Sequence, residues 1–164
     1  MDNLDKTIIC NAEIEDIDSI VKIEKECFTD AWSWESFHYC FMSPFYVNIV
    51  ARINGAIVGY GFMKSIYEDA ELLRIAVSSS YRRLDIGYRI LDYLINEVKN
   101  NGAEKVFLDV RKSNEAAISL YEKMGFSRYD DAIIDEIKDF DGILCFLGAG
   151  NIDNLFTKLY LSDK

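Results

Sequence analysis

The sequence predicts a mixed α/β domain (α+β type) in which four helices flank a central sheet of about seven strands. Two observations carry this fold class. Strand-like runs surround Asn54-Gly55, a strong hairpin signal because both central residues of a type I′ turn need a positive φ. Later in the chain, helices with apolar residues at helical spacing alternate with short β-rich runs. The predicted order is β-α-α-β-β-β-α-β-α-β-β.

Length and composition fit a single domain over residues 1–164. Half of the 164 residues are apolar, with nine Gly, one Pro and no stretch that resembles a linker or a repeat. The N-terminus lacks the basic flank and apolar core of a signal peptide, and no run approaches the ~18 apolar residues of a membrane span. We therefore expect a cytoplasmic protein that has no membrane partner.

Charge and cysteine usage exclude several classes of site. A net charge of −10 argues against a nucleic-acid partner, because phosphate binding needs clustered Lys and Arg, and it suits a basic substrate better. The cysteines are far apart, so we expect no metal site and interpret them as reduced, mostly buried residues. His38 lies in an aromatic-rich helix, and we assign it a structural role. The cysteines are Cys10, Cys27, Cys40 and Cys145.

The first half of the chain predicts two helices between strands. A strand over Thr7–Cys10 precedes a helix over Glu15–Cys27, whose apolar residues lie three or four positions apart. Ser33 caps the second helix, Glu35 lies in its positively polarised first turn, and Pro44 ends it. Strands follow at Phe45–Ile53, Ala56–Ile66 and Glu71–Ser78.

The second half predicts two further helices. The pattern indicates a helix over Ile86–Asn100 and a strand over Lys105–Val110, joined to the preceding strand by a right-handed crossover. Ser113 caps a helix that runs through Met124, and Gly125 stops it. Beyond it we expect two β-rich segments, across an Asp141-Gly142 turn, and a short terminal helix after Gly148.

The segment from Val77 to Gly87 leads from a strand into a helix N-terminus. Exposed N–H groups and the positive end of the helix dipole favour a phosphate there. Arg82, Arg83 and Arg89 add positive charge, and the glycine allows close backbone approach. The sequence therefore indicates an anion site, against the alternative of arginines that are merely solvated.

Three motifs resemble the Gcn5-related N-acetyltransferases (GNATs). Arg82-Arg83-Leu84-Asp85-Ile86-Gly87 is similar to their pyrophosphate loop, Gln/Arg-x-x-Gly-x-Gly/Ala before a helix. The stretch from Leu108 to Phe126 resembles the Leu-Glu-Val-Arg-x-Ser-Asn-x-x-Ala-x-x-Leu-Tyr-x-x-x-Gly-Phe segment of ribosomal-protein-alanine N-acetyltransferases. Ala31-Trp32-Ser33 and Ser36-Phe37 resemble the substrate-side motif of that subfamily. The resemblance covers about residues 7–147. It implies a GNAT fold with a splay between two central parallel strands, and acetyl transfer from acetyl-CoA to an amine.

The resemblance also implies how acetyl-CoA is bound. Backbone groups of Ile75, Ala76 and Val77 would pair with the pantetheine arm like an added strand. Asn114 would hydrogen-bond this arm and Tyr121 would stand near the thioester sulfur, although an ordinary helix residue and a core tyrosine remain the alternatives. The residues that would surround the pyrophosphate are Arg82, Arg83, Leu84, Asp85, Ile86, Gly87 and Tyr88.

Amine acetylation needs a base, because an α-ammonium with a pKa of ~8 is mostly protonated at neutral pH. The position of the family's base glutamate is occupied by Asp109, which is one methylene shorter. We therefore expect proton removal through a bridging water, with a solvated strand-end carboxylate as the alternative. Tyr121, with an ordinary pKa of ~10, suits proton donation to the departing thiolate, and a backbone N–H near Ile75 would hold the oxyanion. The acceptor is expected at Trp32, Ser33 and Glu35.

Two departures from the family pattern matter. Asp85 replaces the first glycine of the loop. Aspartate is one of the few residues tolerated in the left-handed region, so the turn is expected to survive. Its carboxylate is able to cap the helix and compete with phosphate, so we expect weakened acetyl-CoA binding. The double tyrosine of the subfamily is not evident after Phe126, which leaves the acceptor side open.

Direct transfer in a ternary complex to a peptide α-amine, such as a ribosomal-protein N-terminus, is the leading hypothesis. No cysteine lies in a nucleophile motif, so no covalent enzyme intermediate is expected. One alternative keeps the chemistry but takes a small-molecule amine. The other is a non-catalytic acyl-CoA-binding module, which Asp85 and the short Asp109 would suit.

Overall fold

A computed structural model describes residues 6–128 and 143–147, with side chains over residues 6–128. The chain forms two compact units, Met1–Ala103 and Glu104–Lys164. The order of helices and strands confirms the predicted α/β class. The single domain over residues 1–164 and the splay between central strands stay predictions.

The first unit contains a four-stranded antiparallel sheet whose strands are paired in chain order. Asn54 and Gly55 join the second and third strands with φ values of 51° and 84°, which confirms the predicted hairpin. The strands are β1 (Thr7–Asn11), β2 (Tyr46–Ile53), β3 (Ala56–Ile66) and β4 (Asp69–Val77).

Three helices cover this sheet. They are α1 (Ile17–Cys27), α2 (Trp34–Phe41) and α3 (Ile86–Asn100). The Ser33 hydroxyl accepts from the Ser36 N–H at 3.2 Å, which confirms the predicted cap of α2. Short 3-10 turns at Ile14–Asp16 and Ser79–Tyr81 precede α1 and follow β4.

The two faces of the sheet carry different helices. On one face, residues of α1 and α2 form a core with side chains of β2, β3 and β4. On the other face, α3 lies so close that a Cβ at Gly61 would be 2.6 Å from Ile90 Cγ2 and 2.7 Å from Leu94 Cδ1. A larger residue at this position would force strand and helix apart. The core residues on the first face are Ile17, Ile20, Ile23, Phe37, Cys40, Val50, Tyr60, Phe62 and Ala76.

A β-bulge interrupts β4. Met63 pairs with Leu72 and the adjacent Phe62 pairs with Arg74, so Leu73 is the extra residue on β4. A bulge bends its strand and redirects the side chains around it. The side chain of Arg74 consequently lies on the face covered by α1.

The second unit has one described helix, α4 (Glu115–Lys123), and three described strands. The strands are β5 (Lys105–Val110), β6 (Ser127–Arg128) and β7 (Ile143–Leu147). The last strand is antiparallel to both of the others. Gly125 has a φ of 93°, as expected for the residue that stops the helix.

The structure changes one predicted cap and adds one strand. Asn114, not Ser113, caps α4, because its carboxamide oxygen accepts from the Ala117 N–H at 3.2 Å. The two-residue β6 was not predicted. The β-rich segment expected before the Asp141-Gly142 turn, the turn itself and the helix expected after Gly148 lie outside the described residues.

Candidate functional site

The loop before α3 turns through two residues with a left-handed backbone. Arg83 has a φ of 63° and Asp85 a φ of 56°, which is uncommon for residues other than glycine. Asp85 immediately precedes α3 and has a ψ of 16°. The prediction that Asp85 preserves this turn in the left-handed region is therefore confirmed.

The Asp85 side chain does not cap α3. Its carboxylate makes no capping hydrogen bond among the described residues, while its backbone carbonyl accepts from the Arg89 N–H at 3.0 Å. The Asp85 carboxylate therefore does not occupy the N–H groups of the first turn, for which it was expected to compete with a phosphate. The N-terminus of α3 keeps the backbone and dipole character that favours an anion, with the aspartate charge exposed beside it.

Two arginines lie on this loop. Arg82 and Arg83 are both exposed. Arg82 folds back toward the end of β4, with its Nε 3.4 Å from the Val77 oxygen and its Nη2 3.4 Å from Cys27 Sγ. Arg89, which the sequence grouped with them, donates instead to the Thr7 carbonyl at 2.9 Å. Its guanidinium therefore joins α3 to β1.

The end of β4 carries the backbone groups expected to meet pantetheine. Ile75, Ala76 and Val77 pair with Gly61, Tyr60 and Gly59 of β3. Successive residues of a strand direct their backbone N–H and C=O groups to alternate edges. Only some of the backbone groups of these three residues can therefore bond to β3. The Val77 carbonyl also accepts from the Cys27 thiol, at 3.5 Å.

The start of the loop is fixed to α1 by Glu26. Its carboxylate accepts from the Ser79 N–H at 2.7 Å, from the Ser79 hydroxyl, and from the Ser78 hydroxyl at 3.3 Å. These bonds, led by the one from the Ser79 hydroxyl, hold the pKa of Glu26 below its ordinary value. The geometry thus anchors the residues that lead from β4 to the arginines.

A buried carboxylate beneath the α1–α2 connection was not identified from the sequence. Glu24 is 0 % exposed, and its Oε1 lies 2.8 Å from Arg74 Nε and 2.6 Å from Arg74 Nη2. The Tyr60 hydroxyl donates to Oε2. Burial and the adjacent carboxylate raise the pKa of Tyr60. The signal was present in the sequence, because Glu24 continues the apolar stripe of Ile17 and Ile20 along α1.

The three predicted acceptor residues have distinct local roles. Ser33 is the cap of α2, and Glu35 is exposed in its first turn. The Trp32 N–H donates to Glu24 Oε1 at 2.9 Å, and its ring lies 5.3 Å from the ring of Phe37. All three therefore sit on one continuous piece of chain at the end of α1 and the start of α2.

Asn114 and Tyr121 belong to the second unit. Because the carboxamide oxygen of Asn114 caps α4, its nitrogen is the side-chain group that can donate to a ligand. Tyr121 is 5 % exposed, and its ring centroid lies 5.8 Å from that of Phe126. This arrangement fixes the ring of Tyr121 through packing.

Asp109 lies on β5 and is exposed, between the buried Leu108 and Val110. Its register partner on β7 is Leu144. Phe107, two residues earlier and on the same face of β5, is buried, so this face is covered at Phe107 and exposed at Asp109. The Asp109 carboxylate is itself accessible to water, as a water-mediated base requires.

The remaining reactive side chains are placed as structural groups. Cys10, Cys27 and Cys40 are free cysteines, and burial raises the pKa of Cys40 to about 11. Cys10 and Cys27 are only half-buried. The His38 ring stacks on Trp34 with centroids 4.9 Å apart.

Within residues 6–128 and 143–147, no cluster of three or more potential ligands suits a metal ion, and no helix is long and apolar enough to cross a membrane.

Sequence comparison finds known proteins that are similar to most of this chain. A model of the acetyltransferase (GNAT) family matches residues 17–126. The chain is 32 % identical over 119 residues to the ribosomal protein bS18-alanine N-acetyltransferase of Escherichia coli K12, covering 73 % of this chain and 80 % of that protein. It is 33 % identical over 131 residues to an N-alpha-acetyltransferase of Sulfurisphaera tokodaii, covering 72 % and 78 %.

The fold is shared with a solved structure. The crystal structure of the ribosomal-protein-S18-alanine N-acetyltransferase from Escherichia coli matches with a TM-score of 0.72 and 25 % identity. The match covers 89 % of this chain and 97 % of that one. The sequence likeness and the fold likeness therefore point to the same kind of protein.

Proposed function

The chain belongs to the acetyltransferase (GNAT) family, and from that premise we propose that it acetylates the N-terminal α-amine of a protein, with a ribosomal protein as the leading candidate. It is an acetyl-CoA-dependent N-acetyltransferase. Acetyl-CoA supplies the acetyl group as a reactive thioester. The observation that carries the acetyl-CoA part of the proposal is the loop from Arg82 to Tyr88, where a left-handed backbone leads two arginines into a helix N-terminus. The choice of acceptor is supported by the names of the similar proteins.

The loop residues would bind the anionic end of acetyl-CoA. Backbone N–H groups at the start of α3 point toward an anion placed at the helix end, and the dipole favours it. Arg82 and Arg83 are exposed and able to add charge-assisted hydrogen bonds. For Arg82 this requires exchanging its contacts with Val77 and Cys27 for contacts with phosphate, which would leave the Cys27 thiol as the donor to the Val77 carbonyl. The proposed set is completed by Leu84, Asp85, Ile86, Gly87 and Tyr88.

Two residues of the second unit would act on the reacting end. The carboxamide nitrogen of Asn114 would donate to a carbonyl of the pantetheine arm. The hydroxyl of Tyr121 would give a proton to the sulfur that leaves. A tyrosine fixed by packing against Phe126 suits this role, because a general acid must be held within hydrogen-bond reach.

Asp109 would remove the proton from the acceptor ammonium through a water molecule. Its side chain is exposed on β5, where a water can bridge it to an amine. The amine then attacks directly, so no enzyme nucleophile takes part. A backbone N–H near Ile75, on β4, would stabilise the charge developing on the carbonyl oxygen.

The acceptor would lie against the piece of chain that contains Trp32, Ser33 and Glu35. Among proteins similar to this chain, one is named for the alanine of ribosomal protein bS18 and another as an N-alpha-acetyltransferase. The net charge of −10 favours an acceptor that carries positive charge beyond its α-ammonium group. A basic peptide N-terminus meets both conditions.

The experiment offers acetyl-CoA to the purified protein with three kinds of acceptor. These are peptides that begin with Ala or Ser, the same peptides with a blocked N-terminus and an internal lysine, and a small polyamine. Mass spectrometry should find one added acetyl group on the N-terminal residue of the first class only. Acetylation of the polyamine alone would favour a small-molecule acetyltransferase.

A binding measurement separates catalysis from binding alone. At about 100 times its dissociation constant, acetyl-CoA should stabilise the protein by ~2.7 kcal/mol. Stabilisation without modification of any acceptor would favour a non-catalytic acyl-CoA-binding module. Absence of stabilisation would contradict the proposed site around Arg82 and Arg83.

A further inference from the structure

The segment that joins α1 to α2, called here the connector (Phe28–Ser33), is hydrogen-bonded by two charged side chains, the buried Glu24 and the mostly buried Arg74. The Trp32 N–H donates to Glu24 Oε1 at 2.9 Å, and Arg74 Nη2 donates to the Asp30 carbonyl at 3.0 Å. The connector backbone is thus fixed at two points by side chains from α1 and β4.

The same guanidinium also contacts the aromatic side chains of the connector. Arg74 Cζ lies 4.1 Å from the ring centroid of Phe28 and 5.4 Å from that of Trp32. A planar guanidinium can stack on rings while its N–H groups bind oxygen atoms in its plane. One arginine therefore links the Glu24 carboxylate, a connector carbonyl and two connector rings.

This arrangement is more than core packing requires. The surrounding core is apolar, and replacing a buried ion pair by hydrophobic residues of similar size is often neutral or stabilising. Glu24 is fully buried, and the Arg74 side chain is 15 % exposed. The charges instead supply directed bonds to the connector backbone, which an apolar side chain cannot make.

We propose that Arg74 is a positioning residue which, together with Glu24, holds the connector in the conformation that receives the acceptor amine. The inference rests on the proposed function, in which Trp32 and Ser33 of the connector lie against the acceptor. It assigns no chemical step to Arg74. Its contribution is to keep the acceptor side ordered before the peptide arrives, so that binding does not have to order it.

The competing explanation is that the network only stabilises the fold, and single substitutions cannot separate the two. Arg74→Met alone would leave the Glu24 carboxylate buried without its cation, which can prevent folding. The informative variant is Glu24→Leu/Tyr60→Phe/Arg74→Met. It removes the whole polar network and fills the space with apolar groups, but it restores neither bond to the connector.

The first measurement is hydrogen exchange, which needs no activity. In the triple variant, the Trp32 amide should exchange at least tenfold faster than in the wild type, while amides of α3 and β2 keep their protection. Asp16→Asn/Arg52→Met is the matched control, because it removes another ion pair of this unit, between Arg52 and Asp16 at 2.7 Å, without leaving the buried Asp16 charge unpaired. Unchanged exchange at Trp32 in the triple variant overturns the inference.

The second measurement is steady-state kinetics. The triple variant should raise the KM of the peptide acceptor at least tenfold and leave the dissociation constant of acetyl-CoA within about twofold of the wild type, whereas Asp16→Asn/Arg52→Met should change neither. An unchanged peptide KM in a folded triple variant overturns the inference, as does an equal loss of acetyl-CoA affinity. If the wild type acetylates no peptide, the proposed function fails and the role toward an acceptor fails with it. The exchange result still decides whether the network holds the connector.

Discussion

Leu72 and Arg74 are two positions apart in β4, yet their side chains lie on opposite faces of the sheet. Leu72 pairs with Met63, on the face covered by α3, whereas Arg74 pairs with Phe62 and reaches Glu24 of α1. In a regular strand, residues two apart share a face. The bulge at Leu73 breaks this rule and brings a cation to a carboxylate that would otherwise be buried alone.

Glu26 should make the stability of the protein depend on pH in the acid range. Its pKa is lowered in the folded state by the bonds from Ser79, so the unfolded state binds the proton more readily. The contribution is therefore complete above the ordinary carboxyl pKa and is lost as pH falls through the lower folded value. Glu26→Gln should flatten the loss of stability below about pH 4.5.

Urea unfolding at a series of pH values measures this effect. The free energies of unfolding of wild type and Glu26→Gln should converge as the solution becomes more acidic. Glu68→Gln removes an exposed carboxylate in the turn between β3 and β4 and serves as the control, with a profile parallel to the wild type. A constant difference between wild type and Glu26→Gln at every pH would contradict the assignment.

Local patterns predicted most of the fold because short-range chemistry determines those parts. Asn54-Gly55 specifies its hairpin through positive φ values, and Ser33 specifies the start of α2 through its hydroxyl. The cap of α4 was misplaced by one residue, since Ser113 and Asn114 are adjacent and both are good caps. Which of the two makes the bond depends on the path of the preceding chain.

The pairing of Glu24 with Arg74 could not be predicted from the sequence. The position of Glu24 on the buried side of α1 is readable from helical spacing, but its partner is not. Strand alternation does not reveal a bulge, so nothing around Leu73 indicates which face Arg74 takes. Similarly, the left-handed backbone of Arg83 has no signal in the sequence, because arginine has no preference for it.

Replacing Asp85 should tighten acetyl-CoA binding. The backbone of Asp85 is already left-handed and its carboxylate caps nothing in α3, so its negative charge beside the proposed pyrophosphate site is the remaining obstacle. Asp85→Gly should lower the dissociation constant about tenfold, or ~1.4 kcal/mol. Asp85→Asn, which keeps the size and tolerates the same backbone, should gain nearly as much.

Isothermal titration of the three proteins with acetyl-CoA gives the comparison. Improvement by glycine but not by asparagine would assign the effect to backbone freedom instead of charge. Weaker binding by both variants would show that the Asp85 carboxylate organises the loop.

Tyr121→Phe should lower turnover and leave acetyl-CoA affinity nearly unchanged. The substitution removes the phenolic proton but keeps the ring that packs 5.8 Å from Phe126. Loss of a general acid typically costs about 10²–10⁴-fold in rate. Tyr93→Phe on α3 makes the same chemical change at a residue outside the proposed set and should retain wild-type kcat. Equal turnover of wild type and Tyr121→Phe, measured where chemistry limits the rate, would leave Tyr121 with packing alone.

Asp109→Asn should shift the activity of the enzyme to higher pH. Asparagine is nearly the same size, and the side chain at this position is exposed on β5, so the strand and acetyl-CoA binding should be preserved. The amide cannot accept the ammonium proton. The variant must therefore use acceptor molecules that solvent has already deprotonated, a small fraction at neutral pH because an α-ammonium has a pKa of about 8.

The two pH profiles of kcat should consequently have different shapes. The wild-type rate should level off below the pKa of the free amine, whereas the rate of Asp109→Asn should continue to rise through that value. Glu104→Gln, an exposed carboxylate just before β5, is the matched control and should reproduce the wild-type profile. A lower kcat with unchanged acetyl-CoA affinity would separate the loss of a base from a folding defect. If wild type and Asp109→Asn give superimposable profiles, Asp109 is not the base, and the proton must leave through another carboxylate or a chain of waters to bulk solvent.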